Sequence, residues 1–304
     1  MSGLSDIRYI KRSEIDTARW DLSIEQSRNS LIYGYSFYLD LMSRNWDALI
    51  LGNYEYIMPL TWNKKWGVKY LYQPPFTQQL GIFSAQSITQ DIMHSFLDIL
   101  QKEFKFAEIF LNYDNGSSSS LVPKNNFTLS LSCDYQSLVS GYRKDLIKNL
   151  RHAANYTMNY VRHFDLAKAM SAFKKTYSQR TPHISPEDFQ HFGDVCLYMQ
   201  NDVIVRAVTD ENNHVLATAL LLMKNNRLYL LQSTTLPRGR EIEANHFLLD
   251  QVIREFSGSN RILDFEGSDI DGIAHFYMNF GSVNQPYYFY KYNRLSWPWS
   301  IFKK

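Results

Sequence analysis

The sequence predicts an α+β protein of two similar halves, and three observations carry that expectation. Residues 203–208, 215–223 and 227–232 are β-forming runs broken by turn-rich residues 210–213 and by Asn225-Asn226, which specifies an antiparallel meander. The order hairpins, helix, strand then occurs once in each half. Between the halves lies NYDNGSSSSLVPK, residues 112–124, the segment of lowest complexity in the chain. A boundary just beyond it gives expected domains of about residues 1–130 and 131–304, and 304 residues suffice for two cores of ordinary size.

In the first half, Trp20, Leu22 and Ile24, then Tyr35, Phe37, Leu39 and Leu41, suggest short helices. Residues 48–51 and 55–62 flank Gly52-Asn53-Tyr54 as a β-hairpin, and a second hairpin is expected to turn within 63–67. Pro74 and Pro75 lack the N–H a ladder needs, so a strand must end or bulge there. Ile92, Phe96, Leu100 and Phe104 form an apolar stripe at helical spacing, and residues 107–111 follow as a buried strand.

The second half should open with a single helix carrying Leu138, Tyr142, Leu146 and Leu150 on one face, followed by another with Leu166, Met170, Phe173 and Tyr177. A third starts at Ser185, with Pro186 at its first position and Glu187 and Asp188 in the turn where the helix dipole favours acids. Beyond the meander, Leu248, Leu249, Val252, Ile253 and Phe256 make a helix. Ile262, Leu263 and Phe265 then read as a buried strand ending in carboxylates. Ile273, Phe276, Tyr277 and Phe280 form a helix stopped by Gly281, and residues 287–292 are again rich in β-formers.

Composition narrows the function classes. With 45% hydrophobic and 20% charged residues and a net charge of +2, nothing drives the whole molecule toward nucleic acid or a membrane, so an anionic partner has to be met by a local patch. Cys133 and Cys196 are far apart and no paired histidine motif occurs, so neither a disulfide framework nor a metal is expected; a reducing cytoplasm fits. The N-terminus has no apolar leader, and no run approaches the roughly twenty apolar residues of a span. Trp297, Trp299, Ile301 and Phe302 beside Lys303 and Lys304 have the composition of a weak membrane-surface contact or of a docked tail.

The stretch Ala274-His275-Phe276-Tyr277-Met278-Asn279-Phe280-Gly281 resembles the A-x-x-x-Y-x-x-x-G(F) pattern that ends the GNAT acyltransferase fold. Together with the preceding Asp264-Phe265-Glu266-Gly267-Ser268 it is similar to the FemAB branch, whose best-known members transfer amino acids onto peptidoglycan precursors. The resemblance covers the C-terminal half better than the N-terminal half. It implies two tandem GNAT-like domains, each a mixed, mostly antiparallel sheet flanked by helices, facing one cleft. It also implies an acyl- or aminoacyltransferase with an amine acceptor, either a small molecule or one like a peptidoglycan precursor, and with aminoacyl-tRNA or acyl-CoA as donor. The charged helical arm of the Fem proteins is not in this sequence. A non-catalytic ligand-binding relative and an acetyl-CoA-dependent N-acetyltransferase are the alternatives.

Candidate site residues fall in four groups. Lys144, Lys148 and Arg151 stand at i, i+4 and i+7 and project together, as a polyanion site or as a solvated face; Tyr142, Lys144, Arg151 and Ala153 match the Y-x-K and R-x-A pattern that opens the second domain in the resembled family. Arg238 and Arg240 lie where acetyl-CoA enzymes carry a glycine-rich pyrophosphate loop. Here Gly239 is the loop's single glycine, while Glu241 and Glu243 would repel the anion; the arginines could clamp a phosphate or carboxylate or simply keep the surface soluble. Gln73 and Phe76 belong to a polar-aromatic stretch stiffened by two prolines that could line an acceptor groove. Asp264 and Glu266 share a strand face by period two, with Glu266 the expected proton acceptor, unless the carboxylates only order the turn. Tyr277 is the second expected catalytic residue, matching the helix tyrosine that protonates the leaving thiolate in CoA-dependent relatives; its other role would be core packing.

Overall fold

The computed structural model describes residues 6–116, 121–177, 184–267 and 269–296. The C-terminal aromatic tail and Ser268 lie outside them. Two compact units emerge: Met1–Lys124 with Glu187–Val195 and Pro286–Lys304, and Asn125–Pro186 with Cys196–Gln285.

In the first unit, β1 (Arg8–Lys11) leads through α1 (Thr17–Gln26) and α2 (Ser36–Met42) into β2 (Trp46–Leu51), β3 (Tyr56–Lys65) and β4 (Val68–Tyr72). Asp16 caps α1 by accepting from the Arg19 N–H at 3.1 Å. The β2–β3 register pairs Leu51 with Tyr56, and Gly52 and Tyr54 take φ of 65° and 64° to close the turn. β3 runs to Lys65, so the next hairpin turns tightly at Trp66-Gly67. β4 stops at Tyr72, before the two prolines, and runs parallel to β6. After the short β5 (Phe83–Ser84), α3 (Gln90–Glu103) buries Ile92, Met93, Phe96, Leu97 and Leu100 against β-strand residues that include Leu49, Met58 and Ile109. Each such side chain contributes about 1.5–3 kcal/mol of burial. β6 (Phe106–Leu111) and β7 (Val122–Lys124) follow.

The second unit starts with β8 (Phe127–Ser130) and then departs from expectation. The expected single helix is two, α4 (Tyr135–Ser140) and α5 (Lys144–Ala153). Arg143 is extended at the break (φ −74°, ψ 156°), and its N–H donates to the Asn279 carbonyl at 2.9 Å instead of continuing a helical ladder. Leu138, Tyr142 and Leu146 are all buried even so, because the two short helices keep one apolar side toward the core. β9 (Asn159–Val161), α6 (Leu166–Tyr177) and α7 (Pro186–Met199), of which Glu187–Val195 belongs to the first unit, precede the meander of β10 (Val203–Thr209), β11 (Val215–Lys224) and β12 (Arg227–Thr235). α8 (Pro237–Glu241) and α9 (Ala244–Phe256) lead to β13 (Ile262–Asp264), α10 (Asp271–Met278) and β14 (Val283–Asn284). This sheet has the order β14-β8-β13-β12-β11-β10-β9, antiparallel except that β13 runs parallel to β12. Leu248, Leu249, Val252 and Ile253 of α9 are fully buried in its core.

The last strand, β15 (Tyr287–Asn293), belongs to the first unit. It pairs antiparallel with both β6 and β7, completing the order β1-β2-β3-β4-β6-β15-β7, with β5 paired to β3. Both sheets are thus mixed and mostly antiparallel and carry helices, as expected for tandem GNAT-like units. No helix among the described residues is long and apolar enough to cross a membrane.

Candidate active site in the second unit

The site grows from a parting of two strands. β12 and β13 run parallel through the pairs Arg227–Ile262, Leu228–Leu263 and Tyr229–Asp264, where β13 ends, while β12 continues to Thr235 beside β11 alone. At that point Leu231 is extra: Leu230 pairs with Leu221 and Gln232 with Leu220, a bulge that bends β12. Among the described residues, backbone groups on the β13 side of residues 230–235 therefore have no strand partner, an edge of the kind that can take an extended ligand.

Past the end of β13 the chain turns sharply. Glu266 has φ 59° and Gly267 φ 50°. A Cβ on Gly267 would lie 2.2 Å from the Asn125 carbonyl oxygen, so only glycine fits. Asp264, 1% exposed, fixes this turn: one carboxylate oxygen accepts from Arg227 at 2.5 Å, the other from the Glu266 N–H at 3.0 Å. The period-two expectation that Asp264 and Glu266 share a face does not hold, because the strand stops at Asp264 and Glu266 is left-handed.

Tyr277, on α10, stacks on Phe265 with ring centroids 4.8 Å apart. Burial raises its phenol pKa, and the Glu266 carboxylate raises it further, so the hydroxyl stays protonated and the two expected catalytic residues share one neighbourhood. Beside the opening, β12 carries polar residues that sequence reasoning did not single out. Gln232 is 3% and Thr234 1% exposed, and among the described residues neither amide atom of Gln232 nor the Thr234 hydroxyl has a hydrogen-bond partner. Each such unmet buried group costs about 1–3 kcal/mol. The signal in the sequence was Gln232-Ser233-Thr234-Thr235 ending an otherwise apolar strand.

The other expected residues are distributed as follows. Lys144, Lys148 and Arg151 are exposed on α5. Tyr142 is buried and donates to Asp250 at 3.1 Å, next to Tyr135, which donates to the same carboxylate at 2.8 Å. Burial raises the Asp250 pKa against the opposing pull of those hydrogen bonds. Arg238 pairs with Glu241 at 2.7 Å, Arg240 is exposed, and a Cβ on Gly239 would meet the Leu216 carbonyl oxygen at 2.2 Å. Glu243, left-handed at φ 59°, places its carboxylate 2.8 Å from His246 Nδ1 in the first turn of α9. α5 meets this loop, since the His152 ring lies 3.3 Å from the Glu241 carbonyl oxygen. Gln73 and Phe76 belong to the first unit. There the Gln73 side chain is taken up by the Thr77 carbonyl and the Phe110 N–H, and Phe76 stacks on Phe192 at 4.5 Å.

No family model matches the sequence, and no curated protein matches it significantly. Solved structures do match. FemX superposes with a TM-score of 0.60 at 12% identity, over 92% of this chain and 97% of its own. The structure of L-PGS from Bacillus licheniformis gives 0.51 at 7%, covering 94% of each chain. The C-terminal domain of a putative lysylphosphatidylglycerol synthetase from Agrobacterium fabrum gives 0.51 at 10%, over 94% of this chain and 93% of that one. The fold is GNAT/FemAB-like. At these identities the likeness extends to the fold of GNAT/FemAB-like acyltransferases and no further.

Proposed function

We propose that the second unit transfers an activated acyl or aminoacyl group to an amine at the parting of β12 and β13. The observation that carries this reading is the opening itself: a β12 edge that β13 leaves unpaired and that could hold an extended acyl donor, with β13 running on into the constrained turn that bears Glu266 and with Tyr277 stacked on Phe265 of the same segment. The amine nitrogen would attack the carbonyl carbon while Glu266 takes its proton. The bond from that carbon to the leaving oxygen or sulfur would break, and Tyr277 would supply the proton the leaving group needs. Positioning on the strand edge supplies most of the rate in such a scheme.

The donor side argues against coenzyme A. Glu243 already sets a carboxylate on the first turn of α9, and Glu241 is held beside it by Arg238, where a pyrophosphate would need bare N–H groups. An aminoacyl ester, with the basic face of α5 receiving its polyanionic carrier and a small or peptidoglycan-precursor-like amine as acceptor, suits the charges better. The deciding experiment offers the purified protein aminoacyl-tRNA or acyl-CoA with a panel of amines and follows amide formation by mass spectrometry. Product that disappears in Glu266→Gln supports transfer at this site; no product from either donor class, with a ligand still retained on native purification, shows a binding protein instead.

A further inference from the structure

The β3–β4 hairpin reaches out of the first unit's sheet. β2 begins at Trp46, opposite Thr61, and Leu71–Ala107 is the last pair between β4 and β6 toward the turn. Among the described residues, 63–70 therefore pair only with one another, and the ribbon runs three residues past Trp62, roughly 10 Å at about 3.4 Å per residue. Its sequence, Asn63-Lys64-Lys65-Trp66-Gly67-Val68-Lys69-Tyr70, holds three lysines, and no acid occurs between Glu55 and Asp91. All three lysines are exposed, and Trp66 is 68% exposed.

Two choices of residue at this tip work against the hairpin itself. Trp66 and Gly67 are the central residues of a two-residue turn, at φ 48° and 82°. Asparagine, aspartate or glycine suits the first of those positions, and a tryptophan is strained there. Lys64 stands directly opposite Lys69, a like-charge pair that weakens a ladder. Local rules broken together on an exposed apex mark a surface kept for binding. The charge is also unanswered: among the described residues none of the three ammonium groups pairs with a carboxylate. Two of them lie over indoles instead, Lys65 over Trp66 at 4.6 Å and Lys69 over Trp62 at 4.1 Å.

We propose that this tip docks the protein on an anionic lipid surface, with the Trp66 indole entering the headgroup layer and Lys64, Lys65 and Lys69 meeting lipid phosphates. An indole suits a layer that is apolar on one side and wet on the other, and lysine stems reach past it to the phosphates. A net charge of +2 on the whole molecule supplies little attraction, so the local patch carries it. Single-stranded nucleic acid fits less well. It stacks successive bases on open aromatic faces along a groove, whereas this projecting apex offers one exposed indole with a lysine already over its ring. The surface belongs to the first unit and stands whether or not the second unit transfers acyl groups.

Co-sedimentation of the full chain with vesicles at low salt tests this, using phosphatidylcholine alone and an about 7:3 mixture of phosphatidylcholine with phosphatidylserine. Binding is expected to the mixed vesicles and not to the neutral ones, and should fall as salt rises. Lys64→Gln/Lys65→Gln/Lys69→Gln should weaken it roughly hundredfold, at about fivefold per lysine, and Trp66→Asn roughly tenfold or more. Both variants ease a local conflict of the hairpin, so urea unfolding should show stability unchanged or higher, and lost binding then reports the surface itself. Binding undiminished in both variants overturns the proposal and moves the contact elsewhere in the chain. Equal recovery with neutral and mixed vesicles, or none with either, overturns it too. A fluorescent oligodeoxythymidylate titrated in parallel gives the remaining outcome: if it binds, the vesicles do not, and both variants abolish its binding, the tip is a nucleic-acid surface instead.

Discussion

Arg227 and Asp264 form an ion pair at 2.5 Å with side chains only 6% and 1% exposed, and the same carboxylate accepts the backbone N–H of Glu266. Removing one partner strands a charge where water cannot reach it. Asp264→Ala should therefore lose about 3–5 kcal/mol in urea unfolding, whereas replacing both residues by apolar ones of similar size should cost much less. Equal losses in the single and double variants would show that the pair contributes only volume.

Glu266→Gln and Tyr277→Phe keep shape and remove one proton function each. Turnover should fall by about a hundredfold to ten-thousandfold with little change in melting temperature. A large fall in melting temperature, with activity per folded molecule intact, would make both residues structural.

Acetyl-CoA is expected to bind more weakly than the low micromolar range because of the carboxylates of Glu241 and Glu243. Calorimetry measures this directly. Low-micromolar binding would place the protein with acetyl-CoA-dependent N-acetyltransferases.

Changing Lys144, Lys148 and Arg151 together to Glu should weaken binding of a polyanion such as tRNA. The slope of log affinity against log salt should flatten by about 2 to 3, the contribution of three phosphate contacts. An unchanged slope would mean that the α5 face is only solvated.

The thiols should differ sharply. Burial pushes the Cys196 pKa up to about 12, while Cys133 is exposed. At pH 8 only about one Cys196 in ten thousand is then thiolate. Iodoacetamide should accordingly label Cys133 in the folded protein and Cys196 only after unfolding, as peptide mass mapping will show.

Local chemistry was legible in the sequence where a single residue decides the backbone. Pro186 with Glu187 and Asp188, the turn at Gly52, the stop at Gly281 and the breaks in the meander each appear where their residues require. The split between α4 and α5 was not legible. Leu138, Tyr142, Leu146 and Leu150 keep helical spacing across it, and the cause, the Asn279 carbonyl taking the Arg143 N–H, lies 136 residues away. The turn after β13 was visible as a cluster of carboxylates, but not which of them would be committed: Arg227 reads as a strand start, and only tertiary pairing ties it to Asp264. Gln232 and Thr234 were hidden because polar residues at a strand end ordinarily face water.

The position of β15 between β6 and β7 sets an order on assembly. A ribosome delivers β6 and β7 early, yet the strand that joins them is not made until the whole of the second unit has been synthesised. Until then β6 and β7 present open edges to the cell, prone to pairing with other chains. The second unit, whose described strands β8 to β14 are all made before β15, is free to close first and so to shorten that exposure. The first unit, although it begins at the N-terminus, is the one that finishes last.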